Sequence, residues 1–413
     1  MDHFKYIIIG GGAAGTAAAE SIRLKDTRGT IAILNEEPYT LYSRVMLSKP
    51  NFFLGQVPFE QVYLKNEEWY KKLSITYFGS CRAVDLNVPE QIVKTADGRA
   101  FKYDKLLIAT GVQARRLTIP GSDKKGIHYL RTLEDGKGIM AHIKTAKRCV
   151  VVGGGFIGFE MADLAKLAGM ETTMLLRESY FWEPTLDPVA GGMVGAALEK
   201  GGIVLKKNVE LAEILGGESV EGILLKDGSR IECDMIIAGI GITTPIEWIR
   251  NDGAKTNTGI LCDEFMQTSL ANVYAAGDIA EYKDLLLEET VQMGSWVNAH
   301  EQGRIAGLNM VGPDKTPFRF VSFYTTQGLG ISIAFVGDAR PLSDRQFVSR
   351  GSAELGWCER FIILGKELEG ATLINKTGDL TTIAKIIEKN IDVSGALDKL
   401  ADPNFNLKEL LPK

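Results

Sequence analysis

Cysteine is scarce in this 413-residue chain, and the five present, Cys81, Cys149, Cys233, Cys262 and Cys358, are odd in number and far apart. None belongs to a CxxC or C-x4-C pair and none clusters with the 4 histidines, which argues against a structural zinc site or an iron–sulfur cluster held by this chain. Four of these isolated thiols read as small buried hydrophobes. His128, His142 and His300 stand apart, with no cysteine or serine arranged around them, and read as structural or solvated. Proline is sparse, at 13 residues, and 24% charged residues against 45% hydrophobic exclude a disordered, collagen-like or low-complexity chain. Basic charge is not in excess either. The 47 Lys and Arg against 52 Asp and Glu leave −5, which argues against a nucleic-acid binder relying on bulk charge. Long apolar runs are also missing: those near residues 6–19 and 149–159 are broken by glycine and too short to span a bilayer. The first residues carry no basic segment ahead of a cleavable apolar stretch, so the expected location is the cytoplasm, without a membrane span.

Glycine is what the chain has in excess, 45 residues where about 7% of the length is usual. At about 150 residues per domain, the length predicts two or three domains. The glycines punctuate a repeated grammar. A β-branched strand at 5–9 runs into Gly10-Gly11-Gly12, an alanine-rich helix at 13–24 and a second strand at 31–34. The same order returns as a strand at 148–152, Gly153-Gly154-Gly155, a helix at 156–167 and a strand at 172–176. A second repeat follows each. Asp97-Gly98 and Asp227-Gly228 mark hairpin turns, each followed by an aspartate (Asp104, Asp234) and a buried strand ending in glycine (Gly111, Gly241). Two related α/β domains are the economical reading. From about residue 320, alternating segments at 330–336 and 360–364 and a helix at 380–390 predict a third, smaller α+β unit.

Gly10-x-Gly12-x-x-Gly15 supplies a tight turn, close backbone approach to a pyrophosphate and close helix–strand packing, with the phosphates on the helix N-terminus. Glu36 stands about 20 residues on, where an acid bonds a ribose hydroxyl. Gly153-x-Gly155-x-x-Gly158 repeats the motif with a different ending: Leu176 is followed by Arg177, which can accommodate a 2′-phosphate, and then by Glu178, which argues the other way. Arg177 tips the expectation slightly towards NADPH over NADH.

Two such motifs, the Ala109-Thr110-Gly111 turn and Ala275-Ala276-Gly277-Asp278 resemble the FAD-dependent pyridine nucleotide–disulfide oxidoreductase superfamily over nearly the whole chain. The resemblance implies two Rossmann-like dinucleotide-binding domains plus a small C-terminal α+β domain. The FAD-binding domain would comprise 1–112 and 245–319, the NAD(P)-binding domain 113–244 and the small domain 320–413. It also implies that Gly10, Gly12, Ala14, Gly15 and Glu36 hold the FAD adenosine diphosphate, that Ala109, Thr110, Gly111, Gly277 and Asp278 complete the flavin side, and that Gly153, Gly155, Ile157, Gly158, Arg177 and Gly241 take the nicotinamide nucleotide.

Disulfide reductases carry a redox cysteine pair, and some relatives a single cysteine, after a segment like 38–49; this chain has no cysteine between Glu37 and Ser80. It also lacks a carboxy-terminal His-Glu pair, so thiol exchange is not expected. Tyr42-x-Arg44-x-x-Leu47-Ser48-Lys49 is instead similar to the ferredoxin and rubredoxin reductases and the apoptosis-inducing-factor branch. The segment from Trp296 to Met310 and Phe323-Tyr324-Thr325-Thr326-Gln327 fit the same branch. Tyr324 stands where those reductases often have tryptophan, and Val45-Met46 replace a common Pro-Pro. The implied function is exchange of electrons between NAD(P)H and a separate ferredoxin- or rubredoxin-type carrier through FAD. The resemblance further implies that Arg44 and Lys49 lie near the FAD, that Lys49 pairs with Glu160 beside the nicotinamide, and that Trp296 and Tyr324 lie on the cofactor side. No metal site is expected, and a homodimer is left open. The alternatives are an NAD(P)H oxidase, a flavin subunit of a larger reductase, and a redox-sensing binding protein.

Overall fold

The computed structural model describes residues 1–412, which divide into two compact units. The first comprises Met1–Ser43, Glu60–Gln113 and Thr243–Ser322. Its centre is the strand Asp2–Ile9, paired in parallel with Ile31–Leu34 on one side and Ala100–Ile108 on the other. Ile75–Phe78 extends the sheet beyond Ile31–Leu34, and Val273–Ala275 pairs with Ala100–Ile108, both in parallel. Ile31–Leu34 and the last four residues of the central strand, Tyr6 to Ile9, are buried and apolar because both faces are covered there, as a parallel sheet requires. Helix Ala13–Lys25 leaves the carboxyl end of the central strand through the first glycine turn and lies along helix Trp296–Val311.

The second unit comprises Arg44–Phe59, Ala114–Ile242 and Phe323–Lys413. Its parallel sheet runs Val204–Lys206, Glu171–Leu175, Arg148–Val152, Met235–Ala238, Ile127–His128. Val151 stands opposite Met174 on one side and Ile237 on the other. A separate antiparallel sheet is formed by Leu211–Leu215, Gly222–Leu225 and Arg230–Glu232. The chain then builds a five-stranded antiparallel sheet in the order Phe323–Gly328, Ile331–Gly337, Glu367–Ile374, Trp357–Leu364, Gln346–Ser352. Helix Leu380–Glu388 buries Ile383, Ile386 and Ile387, the i, i+3, i+4 stripe that its sequence shows. The following segment is pinned rather than trailing: Leu400 and Leu407 are buried, and Arg350 donates to the carbonyls of Asp402 and Phe405. Among the described residues no helix is long and apolar enough to cross a membrane.

Candidate functional site

Both glycine turns have the geometry that a dinucleotide demands. Gly10 and Gly153 sit at φ +110° and +104°, and a Cβ there would lie 2.3 Å from the Ala109 carbonyl and 2.4 Å from that of Gly239. No L-residue fits either position. The last glycine of each motif closes the helix onto the turn: a Cβ on Gly15 would meet Gly10 O at 1.9 Å, and one on Gly158 would meet Gly153 O at 2.0 Å. The middle glycines, Gly12 and Gly155, have open space instead and lead directly into the helix N-termini. That open side is where a pyrophosphate reaches free N–H groups, so the chain's residues fit the two dinucleotides expected of them.

In the first unit the turn is braced by Asn35, whose side-chain oxygen accepts the Gly11 N–H at 2.9 Å. The sequence reading passed over Asn35, although its place just ahead of the expected acid was a signal. Glu36 is exposed and stands 3.6 Å from Arg82. Ala109, Thr110 and Gly111 follow the end of Ala100–Ile108, and Gly277 and Asp278 lie beyond Val273–Ala275, its neighbour in the sheet. The buried Gln302 accepts the Gly277 N–H at 2.7 Å, and Gln292 donates to the Asp278 carbonyl at 2.7 Å, so helix Trp296–Val311 and its approach hold this second loop. Trp296 is the first residue of that helix, behind a Ser295 cap.

In the second unit a cavity of about 430 Å³ opens over the other glycine turn. Gly153, Gly154, Gly155 and Gly241 line it together with Arg177, Glu178 and Glu210. Arg115 and Trp182 complete the wall. Ile157 packs against Gly239 behind the turn. Glu210 is held by Lys226 at 2.5 Å, which sets its carboxyl below the usual range; Arg177 acts in the same direction more weakly.

Helix Phe156–Leu167 holds a buried polar cluster one turn further in. Glu160, 8% exposed, accepts from Lys49 Nζ at 2.5 Å and from Thr326 Oγ1 at 2.7 Å, both on Oε1. Lys49 and Glu160, expected to pair, are therefore together. In the sequence Thr326 stands only within the Phe323–Gln327 motif, and nothing local signals its contact with Glu160. Asp163, one turn beyond, is also buried; burial raises its carboxyl pKa, the charge of Glu160 adds to that, and the Leu329 N–H opposes it. Tyr324 stacks on Phe156, the first residue of the helix, with ring centroids 5.2 Å apart. Arg44 donates to the Arg131 carbonyl at 2.6 Å. All five cysteines are buried with thiol pKa values raised by burial, Cys233 and Cys358 to about 12, which leaves no poised thiolate.

Residues 4–303 match the family model described as pyridine nucleotide-disulphide oxidoreductase. A rubredoxin-NAD(+) reductase of Pseudomonas putida is 34% identical over 331 residues, 78% of this chain and 86% of that protein. The nitrite reductase [NAD(P)H] of Bacillus subtilis (strain 168) is 27% identical over 396 residues, 95% of this chain but 48% of that protein, so the chain spans about half the length of that relative. The crystal structure of a ferredoxin reductase for the CYP199A2 system from Rhodopseudomonas palustris superposes with a TM-score of 0.90 at 27% identity, covering 98% of this chain and 99% of the other.

Proposed function

This chain belongs to the pyridine nucleotide-disulphide oxidoreductase family, and on that premise we propose that it is an FAD-dependent NAD(P)H oxidoreductase exchanging electrons with a separate ferredoxin- or rubredoxin-type carrier. The observation that carries the reading is the Lys49–Glu160 pair, set one turn into the helix that starts at the second glycine turn. FAD, when bound, supplies the conversion between a hydride and single electrons. The chain's own residues bind and orient. Gly10, Gly12 and Gly15 with Glu36 would hold the FAD adenosine diphosphate, with Asp278 on the ribitol; Gly153, Gly155 and Gly158 would hold the nicotinamide nucleotide. Lys49 and Glu160 fix an ion pair beside the nicotinamide that can orient the ring without adding net charge to the site. The names of the relatives, rubredoxin and ferredoxin reductases, support the carrier class. The absence of a poised thiolate turns the reading away from disulfide exchange.

For the nucleotide, NADPH is slightly favoured. Arg177 lines the cavity where an acid would select the bare ribose, and Lys226 offsets the charge of Glu210, another lining residue. A second reading rests on its own observation, the half-length match to the nitrite reductase: the chain would then be the flavin part of a larger reductase.

Anaerobic mixing of the FAD-loaded protein with each nucleotide tests the proposal. Flavin bleaching is expected with both, faster with NADPH, and Lys49→Ala should slow it at saturating nucleotide by about tenfold, ~1.4 kcal/mol of barrier. No bleaching with either nucleotide overturns the reading. An unchanged rate in Lys49→Ala removes the pair from the hydride site, and an NADH preference sinks only the assignment of Arg177.

A further inference from the structure

The first strand of the C-terminal sheet lies along the helix that carries Glu160, and it does so with one face. Tyr324, Thr326 and Gly328 alternate along Phe323–Gly328 and therefore point the same way. Tyr324 meets Phe156, Thr326 meets Glu160, and Gly328 meets Asp163. Two strand residues advance about 6.6 Å and one helical turn about 5.4 Å, so the two series stay in step over three contacts. The last contact is close: a Cβ on Gly328 would stand 2.8 Å from Asp163 Oδ2, and the next residue, Leu329, gives its N–H to Asp163.

The middle contact has a specific chemistry. Glu160 and Thr326 are 8% and 4% exposed, and an ionised carboxylate so buried needs several donors. Oε1 takes two, the Lys49 ammonium at 2.5 Å and the Thr326 hydroxyl at 2.7 Å. The ammonium sits on a flexible stem that is 32% exposed, whereas the hydroxyl sits on a β-branched side chain with restricted χ1, in a buried strand position. Of the two donors, Thr326 is the rigid one.

We propose that Thr326 is a positioning residue for the Lys49–Glu160 pair: its hydroxyl selects the Glu160 oxygen offered to Lys49 and holds it there, with the strand kept in register by Asp163 at Gly328-Leu329. The proposal rests on the reading of Lys49 and Glu160 given above. It assigns the C-terminal sheet a part in hydride transfer.

The test uses the full-length, FAD-loaded protein. Thr326→Val keeps the shape and removes the donor, Thr326→Ser keeps the donor, and Lys49→Met is the reference. Thr326→Val is expected to lower the limiting rate of flavin reduction about five- to tenfold, the size of one typical net hydrogen bond, with the apparent Kd for NADPH within about twofold. Thr326→Ser should stay within about twofold of the wild type. In the oxidised protein, the flavin absorbance change induced by NADP+ should differ in Thr326→Val and return in Thr326→Ser. A rate for Thr326→Val within twofold of the wild type, or a Thr326→Ser as slow as Thr326→Val, overturns the proposal. If Lys49→Met is itself as fast as the wild type, the underlying reading fails and this proposal falls with it. A slow Lys49→Met beside a fast Thr326→Val defeats this proposal alone.

Discussion

His128 and His142 show how one residue's environment sets its charge. His128 ends the edge strand Ile127–His128, His142 ends the helix Leu133–His142, and Nε2 of the first stands 2.8 Å from Nδ1 of the second. Burial first, and then the neighbouring imidazole, depress the His128 pKa to about 4. The folded state therefore prefers neutral His128, while the unfolded chain protonates it at its ordinary value near 6.5. Between those values the unfolded state binds more protons, so stability is whole above about pH 6.5 and is lost progressively as the pH falls towards 4, by up to ~3 kcal/mol. Urea unfolding at pH 7, 5.5 and 4.5 should show that decline, and His128→Asn should flatten it. An unchanged pH profile in the variant would place the acid sensitivity elsewhere. The two histidines read as isolated in the sequence because one ends a strand and the other ends the helix that follows, and no local period links two different elements; only the docking of the helix against the sheet edge makes them partners.

Among the elements, the contact between Ala13–Lys25 and Trp296–Val311 governs the first nucleotide turn. A Cβ on Gly303 would lie 2.0 Å from the Ala14 carbonyl, and one on Gly307 2.6 Å from that of Ala18, so two small-residue rows four positions apart let the backbones meet. Gly303→Val must push the helices apart, at a cost of ~1–3 kcal/mol or more, and Ala14 adjoins Gly15 of the turn. The expected outcome is a lower Tm and loss of bound FAD during purification, measured by the flavin-to-protein absorbance ratio; full FAD content would show that the turn does not depend on this crossing. The repeated hairpins carry a related lesson. Ile92–Thr95 with Ala100–Ile108 and Gly222–Leu225 with Arg230–Glu232 are alike in sequence, and both form antiparallel pairs. The first runs on unbroken into the main sheet. The second stops at Glu232, and Asp234 takes the backbone N–H groups of Lys147 and Arg148 at 3.0 Å each before Met235–Ala238 begins. The corresponding Asp104 faces His3 instead. The repeat was visible in residue types; the break depends on what lies opposite.

For the whole molecule, the prediction concerns the electron acceptor. The five cysteines are buried with thiol pKa values raised by burial, so the proposed function requires a partner to take single electrons. With NADPH alone, turnover should be slow and limited to reaction with oxygen; added rubredoxin or ferredoxin should raise it in proportion to carrier concentration, followed as cytochrome c reduction. Fast peroxide formation without a carrier would favour an oxidase. The two glycine turns, their strands and helices and the exclusion of thiol chemistry were legible in the sequence, because backbone conformation, hydrophobic period and the presence of a nucleophile are local properties that residue types write directly. Lys49 and Glu160 were legible through motif resemblance, although 111 residues separate them. The hydroxyl of Thr326 on Glu160, the brace of Asn35 under Gly11, the histidine pair and the pinning of the last residues by Arg350 were decided by tertiary structure alone. Each joins groups from different elements, and which groups meet depends on how helices and strands pack, a property that no short stretch of sequence contains.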